Sequence, residues 1–234
     1  KMFEDQEMRV EYWDQRFDSM DMLDDLLKDT AAVGVSAFTG SQCSEAADIL
    51  ERAKRINPEI ITHIGGHHVQ HCKEDVEKEP NVDVVWPERS YHEHSFPFSK
   101  AAQRLWLRGD LQYMTSNGCP YGCQFCALRS PWTPRPLDQI EREIESICEL
   151  TGRNNFSFSD PIMGFNRTLG DDGKNKYVDR MERMKSLGTI FRKFGIQYDS
   201  NIRSDYVDQE LADLMAWGGC TSIEFGLESG DDYF

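Results

Sequence analysis

Three cysteines fall within eight residues of one another in Asn117-Gly118-Cys119-Pro120-Tyr121-Gly122-Cys123-Gln124-Phe125-Cys126. Thiolates spaced by three and then two residues can wrap one corner of an iron–sulfur cubane, and Gly118 and Gly122 let the backbone fold tightly round it. Three protein ligands leave a fourth iron open to a substrate or cofactor. An electron-transfer ferredoxin would supply a fourth cysteine close by. The competing assignment is structural zinc, which also takes cysteine but needs a fourth ligand and usually shows paired spacings. Neither Cys148 nor Cys220 forms such a pair. With seven cysteines so unevenly spaced, the pattern is metal ligation in a reducing compartment rather than a secreted disulfide scaffold.

Length and composition bound the rest. A chain of 234 residues can hold one large domain or two modest ones. Apolar runs such as that of residues 31–38 are far shorter than the roughly 20 residues a membrane helix needs, so a soluble, cytoplasmic protein without membrane contact is expected. A net charge of -15 and a pI near 4.8 argue against a nucleic-acid partner, which would require a basic face, and favour a small-molecule substrate. The chain opens at Lys1 and stops at Phe234 just after a strand-like run, so it reads as a fragment.

Two α/β series position the cysteines. The first opens with the strand-like residues 9–14 and a helix through Met22, Leu23, Leu26 and Leu27. The continuous run of residues 31–38 has the form of a parallel strand covered on both faces. A helix from Ser44 to Ile56 stops at Asn57-Pro58; a strand follows over 60–64, a short helix around 74–77 and a strand over 82–85. Such units predict an incomplete doubly wound, Rossmann-like sheet over residues 1–98, ending in an irregular linker rich in Pro, His and Phe. The second series, residues 99–234, has expected strands over 111–115, 155–159, 196–200 and 222–227. Its helices are expected over 137–150, 176–194 and 209–217, as in an incomplete α/β barrel.

The cysteine segment resembles the CxxxCxxC signature of the radical S-adenosylmethionine (SAM) superfamily, with Phe125 directly before the last cysteine. The resemblance implies a 4Fe–4S cluster on Cys119, Cys123 and Cys126 whose open iron chelates SAM. An electron from an external donor of flavodoxin or ferredoxin type would then cleave the sulfonium to a 5′-deoxyadenosyl radical. It also places Phe125 beside the adenine and Ser159 and Asp160 near the SAM amino group, although the family's Gly-Gly-Glu form is absent. Arg203, in a segment like the family's Arg-x-Asp, would pair with the SAM carboxylate. Glu228, in a Gly-x-Glu-Ser-Gly segment, would make a further polar contact, with Glu224 on the same side of the strand.

The first series resembles the cobalamin-binding domain that precedes the barrel in one subgroup of these enzymes, through residues 33–40, Ile56-Asn57-Pro58 and Ile64-Gly65-Gly66-His67-His68. The resemblance implies that Ser36, Gly65 and Gly66 line a pocket for the nucleotide tail of cobalamin. The Asp-x-His-x-x-Gly segment that supplies an axial histidine in other cobalamin proteins is absent from the chain. His63, His67, His68 and His71 follow no tetrahedral metal spacing. The implied activity is cobalamin-dependent methyl transfer to carbon. The alternatives are a non-methylating radical SAM enzyme with an empty first domain and a metal-stabilised binding protein.

Overall fold

The computed structural model describes residues 9–38, 40–86, 103, 107–126, 128, 130–169 and 175–226. Glu228 and the linker histidines lie outside the described residues. Chain contacts divide the protein into two compact units, one containing described residues 11–86 and the other 103–226.

In the first unit, three parallel strands lie in the order β1 (Ala32–Ser36), β2 (Ile61–Gly65), β3 (Val84–Val85). Helix α1 (Met20–Lys28) is capped by Ser19, whose hydroxyl accepts from the Met22 N–H; α2 (Ser41–Ile56) and α3 (His67–Val76) connect the strands. Residues 9–14 form no strand, contrary to the expectation. Trp13 instead packs beside Leu23, Leu27, Ala53 and Ile60, and its indole donates to the Ser19 carbonyl.

The expectation of a strand covered on both faces also fails. Val33 and Val35 pack toward the helices while Ala32, Gly34 and Ser36 are exposed. Because the exposed positions are small residues, the sequence shows an unbroken apolar run where the structure alternates. Consecutive strands lie side by side, and α2 and α3 pack on them. Ile61 is 49% exposed while Thr62 and Ile64 are buried.

The second unit is built on four parallel strands in the order β4 (Leu111–Tyr113), β7 (Asn155–Phe158), β10 (Gln197–Asn201), β11 (Cys220–Glu224). They are joined by α4 (Leu137–Thr151), α5 (Arg180–Lys193) and α6 (Gln209–Trp217). Sequential neighbours linked through helices are the βα units of a barrel wall, here open among the described residues. Ile140, Ile144 and Ile147 recur on one stripe of α4 and meet Phe156 and Phe158 of β7 and Phe191 of α5. Burying each such side chain contributes about 1.5–3 kcal/mol.

Two antiparallel hairpins interrupt this rhythm, and the sequence reading anticipated neither. One pairs β5 (Ser116–Cys119) with β6 (Ser130–Pro134), and the other pairs β8 (Arg167–Leu169) with β9 (Asn175–Tyr177). The strand expected over 111–115 therefore stops at Tyr113, and β5 begins a separate hairpin at Ser116. The helix expected from 176 starts at Arg180, where Asp179 caps it by accepting from the Glu182 N–H at 3.0 Å.

Candidate active site

The cysteines occupy the tip of the β5–β6 hairpin, just beyond the carboxyl end of β4. Cys119 closes β5 and pairs in register with Ser130, while Cys123 and Cys126 lie in the turn between, tied by the Cys126 N–H donating to the Cys123 carbonyl at 3.1 Å. Gly118 has φ of 76°, a conformation that glycine adopts without strain, and opposite it β6 carries the extra residue of a bulge, with Pro131 and Trp132 between the partners of Cys119 and Asn117. All three thiols are partly buried and free of disulfides. Burial pushes the Cys119 thiol up; the Tyr121 backbone N–H and the Arg203 charge oppose this.

Arg203 comes to the cysteines from the far strand. It follows β10 and caps the short turn Ser204–Tyr206. Its guanidinium lies 4.1 Å over the Tyr121 ring, one nitrogen is 3.9 Å from the Cys123 sulfur, and Asp205 holds the other edge at 2.8–2.9 Å. The Asp205 ion pair raises its pKa, so it stays cationic. A residue 80 positions from Cys123 in the chain thus brings a permanent positive charge to the cysteine loop. Beside it a cleft of about 320 Å³ is lined by Asn166, Arg180, Asp205, Tyr206, Val207 and Asp208.

Ser159 and Asp160 follow β7, but they differ in position. Ser159 is exposed, with its N–H donating to the Tyr113 carbonyl at 2.9 Å. Asp160 is fully buried: one carboxylate oxygen accepts from the Thr115 N–H at 2.9 Å, and the other accepts from the Thr115 and Ser116 hydroxyls. Desolvation raises its pKa against these hydrogen bonds. Asp160 thus ties the end of β7 to the segment between β4 and β5. Its partners Thr115 and Ser116 lie at the turn from β4 into β5, at the base of the cysteine hairpin. Phe125 is 71% exposed beside Cys126, and Glu224 is exposed at the end of β11.

Behind the hairpin lies a polar network that the sequence reading missed. Glu143 of α4, 2% exposed, accepts from the Tyr113 hydroxyl at 2.6 Å and the Arg135 guanidinium at 2.6 and 2.8 Å. The Arg135 N–H donates to the Thr115 carbonyl, which also accepts from buried Arg183. In front, Trp132, Ile162 and Phe165 form a small buried group against which Cys119, Tyr121 and Tyr206 pack. Glu143 reads in sequence as an ordinary helix-surface carboxylate; only Tyr113 of β4 and Arg135, just after β6, converging on it identify it.

In the first unit, the structure brings together the residues the sequence singled out. Ser36 and Gly65 are register partners at the carboxyl ends of β1 and β2, and Gly66 follows directly. Gly66 has φ of 100°, and a Cβ there would lie 2.4 Å from the Ala37 carbonyl oxygen and 2.8 Å from the Ser36 hydroxyl. At the same edge stand Phe38, 53% exposed and stacked 5.0 Å from the His67 ring, and Trp86, 50% exposed, whose indole donates to His63 Nδ1 at 3.0 Å. Ligands bind at this edge in open parallel sheets, and the two aromatic faces were not anticipated from the sequence.

The donor chemistry fits the implied cluster: three soft thiols on one loop, none in a disulfide, with a permanent cation, Arg203, against Cys123 to offset thiolate charge. Among the described residues no three His, Cys, Asp or Glu side chains converge on a single metal position, whereas a cubane distributes its thiolates over separate irons.

Comparison with known proteins agrees. The Radical SAM superfamily model matches residues 113–234, more than half of the chain, and the chain belongs to that superfamily. The B12 binding domain model matches residues 1–91, so the cofactors of the two families matched are SAM with a 4Fe–4S cluster and cobalamin. An uncharacterized methyltransferase of Pyrococcus horikoshii is 26% identical over 120 residues, covering 50% of this chain and 24% of the relative. Cytidylyl-2-hydroxyethylphosphonate methyltransferase of Streptomyces wedmorensis is 19% identical over 280 residues, covering 85% and 50%. The fold matches that of TsrM from Kitasatospora setae, a radical SAM methyltransferase solved with tryptophan substrate and aza-SAM, at a TM-score of 0.66 and 16% identity over 98% of this chain and 55% of that one. A second TsrM structure, with cobalamin and a [4Fe-4S] cluster bound, matches at 0.64 and 17% identity, over 96% and 56%. The chain spans about a quarter to a half of these curated relatives' lengths. No helix among the described residues is long and apolar enough to cross a membrane.

Proposed function

We propose that this chain carries the cofactor-binding core of a cobalamin-dependent radical SAM methyltransferase acting on an unactivated carbon of a small molecule. The observation that carries this reading is the hairpin tip that sets three free thiols beside Arg203, in a chain that also matches the B12 binding domain. The cluster, when bound, supplies the electron that cleaves SAM to a 5′-deoxyadenosyl radical. The chain's own groups bind and orient. Cys119, Cys123 and Cys126 hold the cluster, Arg203 offers a fork of donors to the SAM carboxylate, and exposed Ser159 and Phe125 reach its amino group and adenine. Glu228, outside the described residues, remains the proposed contact from the fourth strand. Ser36, Gly65 and Gly66 form the floor for the cobalamin tail, because side chains there are absent or small enough for close approach. The methyltransferase names of both curated relatives favour methyl transfer over cyclisation or rearrangement.

The test is anaerobic reconstitution of the full-length protein with iron, sulfide and hydroxocobalamin, followed by Mössbauer and optical spectra and a 5′-deoxyadenosine assay. The expected result is a cubane lost on replacing all three cysteines by alanine, retained corrinoid and reductant-dependent 5′-deoxyadenosine. One zinc with no acid-labile sulfide would overturn the reading. Loss of corrinoid alone would leave the radical step and remove cobalamin from it.

A further inference from the structure

We infer that Asp199 is a substrate-binding residue on a polar inner face of the second unit's sheet, and that this face selects a small molecule carrying a primary amine. The inference rests on the function proposed above and names its substrate class. Leu111, Tyr113, Phe156, Phe158 and Tyr198 pack toward α4, α5 and α6. Side chains alternate across a strand, so the residues between them point to the opposite face, the inside of a barrel wall. Strand register lines four of these into one row, Gln112, Ser157, Asp199 and Ser222. A second row, nearer the carboxyl ends, pairs Asn201 with Glu224. Barrel interiors are ordinarily filled by bulky Val, Ile and Leu. Here both rows are polar throughout, and Gln112, Asn201, Ser222 and Glu224 are exposed.

The two rows hold two carboxylates and no Lys or Arg. Asp199 carries the charge of the first row. Ser157 donates its hydroxyl to one carboxylate oxygen at 2.8 Å, which fixes the group, while the other oxygen accepts no hydrogen bond from any described residue. A carboxylate can only accept, so its complement is a donor, and a protonated amine adds charge to that hydrogen bond. An anionic substrate would meet like charge, and a neutral one would forgo the charge assistance. Arg203 does not cancel this preference. Its guanidinium is turned to Asp205, Tyr121 and Cys123. It also follows Asp199 by four residues, about 13 Å of extended chain at about 3.3 Å each, which is longer than the screening length of about 8 Å at physiological salt.

The experiment titrates anaerobically reconstituted full-length protein with 1,5-diaminopentane, and with 1,5-pentanediol and glutarate as neutral and anionic probes of the same length, at physiological salt, reading binding by saturation-transfer NMR. The diamine is expected to bind at least about tenfold tighter than either control, a margin typical of a charge-assisted hydrogen bond over a neutral one. Asp199→Asn, which keeps an acceptor for Ser157, is expected to abolish that margin, and Asp199→Glu to retain it. The Kd for SAM should be the same in all three proteins. Equal binding of the three probes, binding of none, or a margin that survives Asp199→Asn overturns the inference. So does an equal loss of SAM affinity in Asp199→Asn, which would give the carboxylate to SAM instead. Should Asp199→Asn not fold, Ser222→Asp decides: a second carboxylate at this exposed position of the same row should widen the margin severalfold, and an unchanged margin overturns the inference. The titration needs no turnover, so a protein without a cluster refutes the proposed function through its spectra, while the amine preference is read separately.

Discussion

Replacing Glu143 by alanine should be among the most damaging single changes in the second unit, although the residue lies on a helix and touches no cofactor. Its carboxylate is 2% exposed and faces the Arg135 guanidinium, whose side chain is 17% exposed, at 2.6 Å; the Tyr113 hydroxyl and the Gln139 amide donate to it at 2.6 and 2.8 Å. Burial also raises the pKa of the Tyr113 phenol, so it remains a neutral donor needing an acceptor. Alanine strands a buried cation and a buried hydroxyl together, which costs about 3–5 kcal/mol. Replacing both charges, Glu143→Leu with Arg135→Met, removes the stranded cation and should cost far less than the single change. Native-state hydrogen exchange at the amides of α4 and β7 measures the effect within this unit, independently of the other. A loss below about 1 kcal/mol for Glu143→Ala, the range of an exposed ion pair, would refute the reasoning. So would a double variant as unstable as the single one.

Asp160→Ala should destabilise the apo protein by about 3 kcal/mol, since two buried hydroxyls and the Thr115 N–H lose their acceptor; denaturant unfolding with unchanged stability but lost SAM binding would return Asp160 to the cofactor. Gly66→Ala, forcing a side chain into φ of 100° and onto the Ala37 carbonyl, should cost about 1–3 kcal/mol and loosen corrinoid retention, both read by thermal unfolding with and without cobalamin. Asp83 bonds Lys54 and Thr62, which pull its pKa down to about 2. Because the folded value lies below the unfolded one, its stabilising contribution is present above the ordinary carboxylate range and fades as pH falls toward 2. Asp83→Asn should flatten the acid limb of a pH–stability profile between about pH 5 and pH 2, and an unchanged limb would count against the assignment.

Much of the architecture was legible because periodicity records burial. The helices expected over 137–150 and 209–217 form as α4 and α6 to within a residue, and Asp208 caps the latter, its carboxylate accepting from the Leu211 N–H at 2.8 Å. Short elements escaped because three to five residues carry little period: β5, β6, β8 and β9 were not separated from the neighbouring strands, loops and helices. The run of residues 31–38 misled for a related reason, since Ala and Gly are compatible with either face.

The sequence by itself determined the ligand chemistry. Thiol spacing within one loop is covalent, so Cys119, Cys123 and Cys126 are neighbours whatever the fold, and Ser36 with Gly65 required only that two adjacent strands pair in parallel. Tertiary structure alone decided which charges meet: Arg203 against Tyr121 and Cys123, Asp160 turned inward to Thr115 and Ser116, and Glu143 between Tyr113 and Arg135. Burial sets the energy of a charged or polar side chain, and burial depends on chain segments tens of residues away that no local pattern encodes.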